Sequence, residues 1–388
     1  MESAKHVSTR DDRMDTIRGL LIVLITMIHY AVRFKDLKPL LVFRHFTFGQ
    51  AEAFFFIAGV STVLAFSGVW QRSGLSGLWM PVFRAIRRLY FAHVFCVFAT
   101  IFCLVLGNKL PLDWEIFDRM VGGVFLLYTP KLTRILPLYL IFMAISPFLI
   151  SWAMQGRERM VILGSFAVYF VSQFVDSLFL YNFLTAFPSL NPYPFLPSHL
   201  KQETSLNLLA WQLPFMLGLV VGAHRVRIKQ SLFAGAERLH TRLLPFAVFT
   251  FFAMVTINNQ LLDQKSIALE FDKIRLAPLR LLTSSLQYYI VGLLAFKYPN
   301  IFRLEPFALI CRNSLPLFVV HVVYLELGTA IFSTPPPTWV QVGGLVLLLG
   351  IIFPLVALGA ERRRKRKRAQ QRALAEAETT NSALDKAA

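Results

Sequence analysis

The stretch RMDTIRGLLIVLITMIHY, residues 13–30, decides the fold. It is an almost unbroken apolar run with Arg18 near its front and His29 deep inside it. The two residues lie eleven steps apart. On a helix that is about three turns, so both side chains leave on one face, roughly 16 Å apart along the axis. A second apolar run, FGQAEAFFFIAG at 48–59, follows a short polar connection and carries Glu52 a few residues inside. If the two helices are antiparallel neighbours, His29 and Glu52 meet at similar depth. Ionisable residues inside a bilayer are costly, which makes Arg18, His29 and Glu52 candidate functional residues.

Apolar runs of about twenty residues recur along the chain, the signature of transmembrane helices. The 388 residues are 56% hydrophobic and 16% charged, with a mean hydropathy of +0.56. A soluble domain carries nearer a quarter charged residues. The expected fold is therefore all-α: a polytopic transmembrane helical bundle of about ten spans with both termini cytoplasmic. The net charge of +18 sits mostly in short turns and the tail. Positive-inside topology explains it better than nucleic-acid binding, so the expected partner is the lipid bilayer and not nucleic acid.

The spans are placed at about 17–33, 47–68, 87–106, 135–153, 160–181, 206–223, 243–261, 278–296, 313–332 and 339–359. Basic turns at 69–88, 157–159, 225–242 and 297–312 mark the cytoplasmic side. The loop 34–46 is external despite Lys35, Lys38 and Arg44. The segment 110–133 has an apolar core too short to cross and reads as re-entrant or interfacial. The loops 182–205 and 262–277 and the proline-rich turn 334–338 are expected outside. Residues 1–16 form a cytoplasmic segment ahead of an uncleaved first span. The transmembrane domain covers 17–360. The tail 361–388 opens with the basic cluster ERRRKRKR and is expected to be disordered.

Cys96, Cys103 and Cys311 lie in apolar stretches and form no C-x-x-C pair. No Walker loop, G-x-G-x-x-G or H-E-x-x-H occurs, so nucleotide hydrolysis, dinucleotide redox and zinc chemistry have no support, and no metal is expected. In the first span, a carboxylate from Glu52 accepting one ring N–H of His29 would leave the other nitrogen free as a base. Arg18 is placed to hold phosphate or carboxylate. A ligand joining the two is long, polyanionic at one end and reactive at the other, the shape of a coenzyme A thioester. In the ninth span, Asn313 and Ser314 open the helix and His321 lies inside it. Arg275 and Arg280 flank the external start of the eighth span, as anchors or as contacts for an acceptor sugar. Trp211 and Gln212 read as an interfacial belt.

These residues resemble a known pattern. Arg18-x10-His29, AEAFFFIAG at 51–59, RILPLYLIFMAISPFLI at 134–150, AWQLPFMLGLVVG at 210–222, DKIRLAPLRLL at 272–282 and CRNSLPLFVVH at 311–321 together look like the integral-membrane acyltransferase superfamily of the acyltransferase three type. Within it the sequence is most similar to the OpgC-like succinyltransferases of osmoregulated periplasmic glucans. Ala58 stands where that branch commonly has serine. The resemblance implies a multi-pass protein of the bacterial inner membrane. It implies transfer of an acyl group, succinyl in this branch, from cytoplasmic acyl-CoA to a hydroxyl of a periplasmic glucan. It carries the catalytic role to His29 and the donor-binding role to Arg18, with supporting roles for Glu52, Asn313, Ser314 and His321. The superfamily also transfers acetyl groups to other envelope polysaccharides. The rival class is a proton-coupled transporter or glycan or lipid exporter, with His29 and Glu52 as a proton relay. The residues leave the acyl group, the acceptor hydroxyl and the oligomeric state open.

Overall fold

The computed structural model describes residues 12–34, 37, 49–110, 112–174, 206–228, 237–260, 273–332 and 334–385. Among them there is no strand. The helices are α1 (Asp12–Arg33), α2 (Gln50–Leu106), α3 (Trp114–Val124), α4 (Ile135–Met154), α5 (Glu158–Ser172), α6 (Leu208–Ile228) and α7 (Glu237–Gln260). They continue as α8 (Pro278–Lys297), α9 (Glu305–Arg312), α10 (Ser314–Ile331) and α11 (Thr338–Val346), which runs through a π-helical turn (Leu347–Ile352) into α12 (Phe353–Asp385). Among the described residues, eight helical stretches are long and apolar enough to cross a membrane: α1, α2, α4, α6, α7, α8, α10 and the run from Thr338 to Arg366. The chain is an all-α multi-pass bundle, as expected. The loops expected at 34–46, 182–205 and 262–277 lie outside the described residues, apart from Phe34, Leu37 and 273–277.

The cytoplasmic loop expected at 69–88 is not a loop. Both expected spans around it belong to α2, interrupted only at Gly74 (φ 61°, ψ −155°). Trp70, before the break, donates Nε1–H to Ser151 Oγ at 3.2 Å, and Trp79, after it, packs edge-on against Phe148 with centroids 5.2 Å apart. Both partners lie near the end of α4, so the chain doubles back at Gly74. A glycine takes this left-handed turn without the penalty a Cβ would bring. Hydropathy misplaced the loop because exposed arginines such as Arg84, Arg87 and Arg88 are equally at home on a helix that runs out of the bilayer.

The first limb of α2 packs on α6 backbone to backbone. A Cβ added at Gly218 would stand 1.9 Å from Phe56 O, and one at Gly59 would stand 2.1 Å from Phe215 O. Small residues let transmembrane helices approach this closely, where packing rather than hydrophobic burial holds them together. Phe55, Phe142, Trp211 and Phe215 fill the space around this contact, with Phe55 and Trp211 edge to face at 5.6 Å. Trp211 is thus fully buried, and its Nε1–H donates to Lys273 O at 3.1 Å. Gln212 accepts from Ser165 Oγ at 2.6 Å and donates to Ser165 O at 2.8 Å. Neither residue forms the interfacial belt expected of it; both tie neighbouring helices together inside the bundle.

One segment enters the bundle without crossing it, and one spanning helix starts deep inside it. The short helix α3 begins with Asp113 accepting from the Glu115 N–H at 2.9 Å. Its far end docks on the second limb of α2, where Tyr90 Oη donates to Val124 O at 3.0 Å and His93 Nε2 donates to Gly123 O at 3.1 Å. Tyr90 and His93 are near the middle of that limb, so 112–133 is re-entrant. The start of α2 is also deep. Gly49 (φ 88°) lies against Ser284, and Phe56 stacks on Tyr288 at 5.2 Å, both midway along α8. Irregular backbone at membrane depth is tolerated where protein covers it.

The helix α9 was not foreseen. It lies along the first turns of α1, where the Thr16 hydroxyl and Leu304 backbone bond and Cys311 Sγ contacts Asp15 at 3.4 Å. On the same basic side, Arg227 bridges to Glu158 at 2.5 Å and joins the ends of α6 and α5. The tail expected to be disordered continues α12 as helix to Asp385. Alanine, glutamate, lysine and arginine have high helix propensity, and a preceding span removes the cost of nucleation.

Candidate functional site

The site lies along a seam between α1 and α10, which run parallel. From α1, residues Arg18, Ile22, Ile25, His29 and Arg33 recur every three or four positions and share one face. From α10, Ser314, Phe318 and His321 do the same, with Leu315 beside Ser314. A cavity opens between them, lined by Arg18, Ile22 and Ile25, by Phe54 and Leu89 of α2, by Tyr139 of α4, and by Ser314, Phe318 and His321. The wall is mostly apolar.

At one end stands Arg18. Its guanidinium carbon lies 5.4 Å from the centre of the Phe54 ring, and its buried Nε has no hydrogen-bond partner. The ring face attracts the cation, and such a contact strengthens on desolvation. His321 also lines the cavity; its buried Nε2 lies 3.1 Å from His29 Nδ1, with the rings stacked 5.3 Å apart. His321 Nδ1 in turn lies 2.8 Å from Phe318 O. One turn beyond His29, Arg33 pairs with the buried Glu326 at 2.6 Å. Lys273 also lies within electrostatic reach of His29.

The sequence brings Arg18, His29, Ser314 and His321 to this seam. It does not bring Glu52 to His29. Glu52 is fully buried, but its Oε1 pairs with Arg280 Nε of α8, and its Oε2 has no partner. Glu52 and Phe54 are two residues apart, so they point about 200° apart around the helix. Phe54 faces the Arg18 cavity and Glu52 faces α8. The expected carboxylate–imidazole pair is therefore corrected: His29 is paired with an imidazole, and Arg280 is taken up by Glu52 inside the bundle. Asn313 is also fully buried, at the junction of α9 and α10, and its Nδ2 donates to Leu309 O at 2.9 Å. Arg275 is exposed and its carbonyl accepts from Gln173.

Sequence reasoning passed over Arg33. The signal was present, since it continues the stripe that holds Arg18 and His29. Among the described residues no group of three or more His, Cys, Asp or Glu side chains is arranged to hold a metal ion.

A protein-family model described as OpgC protein matches residues 10–365 of the chain. No curated protein matches it. No solved structure matches it.

Proposed function

The chain belongs to the OpgC protein family, and on that premise we propose that it is a membrane O-acyltransferase that modifies a glucan. The donor in this reading is an acyl-CoA, succinyl-CoA first, reaching the cavity from the basic, cytoplasmic side. The acceptor is a hydroxyl of a periplasmic glucan on the other side of the bacterial inner membrane. The observation that carries the reading is the seam itself. A cation with an unpartnered Nε and a histidine, His321, line one apolar cavity inside the bundle, and His29 is bonded to that histidine.

Arg18 holds the anionic portion of the donor, and the apolar wall excludes water from the thioester. His29 takes the proton from the glucan hydroxyl as that oxygen attacks the thioester carbon. The Ser314 hydroxyl, which lines the cavity, supplies a donor to the developing oxyanion. The carbon–sulfur bond then breaks, and the proton on His29 passes to the departing sulfur. Glu52 takes no part in this proton transfer; with Arg280 it anchors the deep start of α2 to α8.

The test is mass spectrometry of envelope glucans from cells making the wild type or His29→Ala at equal membrane levels. Acyl groups on the glucan that vanish in the variant support the reading, and their mass identifies the acyl group. Purified protein should also release CoA from acyl-CoA in detergent when glucan is added. Unchanged glucan acylation in His29→Ala, or no CoA release with succinyl- or acetyl-CoA, would overturn it in favour of a carrier that needs a gradient.

A further inference from the structure

The histidine pair has a direction. A carbonyl oxygen only accepts, so the contact between His321 Nδ1 and Phe318 O at 2.8 Å puts a proton on His321 Nδ1. A neutral imidazole has one N–H, so His321 Nε2 is then a bare acceptor. The 3.1 Å contact between that atom and His29 Nδ1 therefore carries the proton of His29 Nδ1. One chain of bonds runs from His29 Nδ1–H to His321 Nε2, and from His321 Nδ1–H to Phe318 O. Its far end is His29 Nε2, left with a free lone pair.

We infer that His321 is the positioning residue of the acyl transfer: it holds His29 in the tautomer whose Nε2 is the base and shares the charge that His29 gains. This rests on the acyl-transfer reading above and gives the second histidine a role that Glu52 was expected to fill. Neither ring is bonded to a carboxylate among the described residues. The charged groups near His29 are Arg33 on its own helix and Lys273 ahead of α8, and Arg33 is matched by Glu326. His321 meets the Phe318 ring edge-on at 5.1 Å. When His29 Nε2 takes the hydroxyl proton, the imidazolium has a single bonded neighbour able to accept, His321 Nε2. When the carbon–sulfur bond breaks, the same Nε2 proton goes to sulfur and the bond chain returns to its starting state. Nothing is consumed beyond donor and acceptor.

The contact also has a geometric signature. A glutamine at 321 can place Oε1 near the position of the imidazole Nε2 and accept from His29 Nδ1–H, whereas a leucine cannot. Holding a catalytic histidine in the wrong tautomer costs about 10⁴-fold in kcat in the serine-protease case, and general-base catalysis as a whole is worth about 10²–10⁴-fold. For His321→Leu we expect kcat to fall about 10²-fold or more, with the KM for acyl-CoA within about threefold of wild type. For His321→Gln we expect at least about tenfold of that loss to be recovered.

The experiment measures CoA release and glucan acylation by purified wild type, His321→Leu, His321→Gln and His29→Ala, each checked for monodispersity and thermal stability. A second measurement does not depend on the variants being active. Nitrogen-15 solid-state spectra of histidine-labelled wild type, with the His29 signals assigned by their loss in His29→Asn, should show His29 protonated at Nδ1. A His321→Leu enzyme with wild-type kcat, or a His29 protonated at Nε2 alone, overturns the inference while leaving the acyl-transfer reading intact. A wild type that transfers no acyl group overturns the reading, and the inference goes with it.

Discussion

Arg18 is the residue whose surroundings say most about what it binds. A buried N–H is expensive to leave unbonded, even on a side chain that is only partly buried. The Phe54 ring offsets about 0.5–2 kcal/mol of that cost, but it cannot bond Nε, which is left without a partner. An anionic or carbonyl-rich ligand entering the cavity would complete the site. A hydrogen bond to a charged group contributes about 1.5–3 kcal/mol, equivalent to roughly 10- to 150-fold in affinity. Arg18→Gln is accordingly expected to raise the KM for acyl-CoA by about that factor with a smaller change in kcat. Arg18→Lys keeps the charge but loses the planar fork, and should fall between. Steady-state kinetics at saturating glucan reads both. A kcat loss as large as that of His29→Ala, with KM unchanged, would move Arg18 from donor binding to the chemical step.

At the scale of elements, the pair Glu52–Arg280 joins two helices that meet below the surface. Breaking a buried pair from one side leaves a charge uncompensated and costs about 3–5 kcal/mol. Glu52→Gln and Arg280→Gln should each lower thermal stability in detergent. The double variant should be less destabilised than the sum of the two, a coupling that a double-mutant cycle measures. Simple additivity would show that the pair does not tie α2 to α8. This pair also marks the limit of what the sequence discloses. Hydropathy placed the helices well, because length and apolarity alone set whether a segment can cross. Periodicity placed Arg18 and His29 on one face, because that relation is internal to one helix. Neither could place Glu52, since its partner depends on how α2 is rotated and how deep it starts. Gly59 and Gly218 set that rotation by locking α2 against α6, and depth follows from the contact of Gly49 with Ser284 midway along α8. His321 was legible as a buried polar residue, but its partnership with His29 needs the parallel packing of α1 on α10. The loop reading of 69–88 failed on a single glycine, Gly74, whose turn takes no loop.

At the scale of the molecule, the reading requires donor and acceptor to approach from opposite faces, and the fold makes that requirement checkable. Because α2 doubles back at Gly74, its turn lies on the basic side with Arg227–Glu158 and the start of α1. The other end of α2 lies on the far side, where Lys109 Nζ donates to Thr329 O at the end of α10. The entrance to α3 follows at once, with Leu112 84% exposed. Ser76, just past the turn, is exposed as well. The native thiols of Cys96, Cys103 and Cys311 are all buried, so new cysteines can be read against a quiet background. In intact spheroplasts a membrane-impermeant maleimide should label Leu112→Cys and spare Ser76→Cys, and in inverted vesicles the order should reverse. Labelling of both from one side would mean that α2 crosses once. The hairpin that brings both Phe54 and Leu89 of α2 to the cavity wall would then be lost, and with it the support for access to the cavity from both faces.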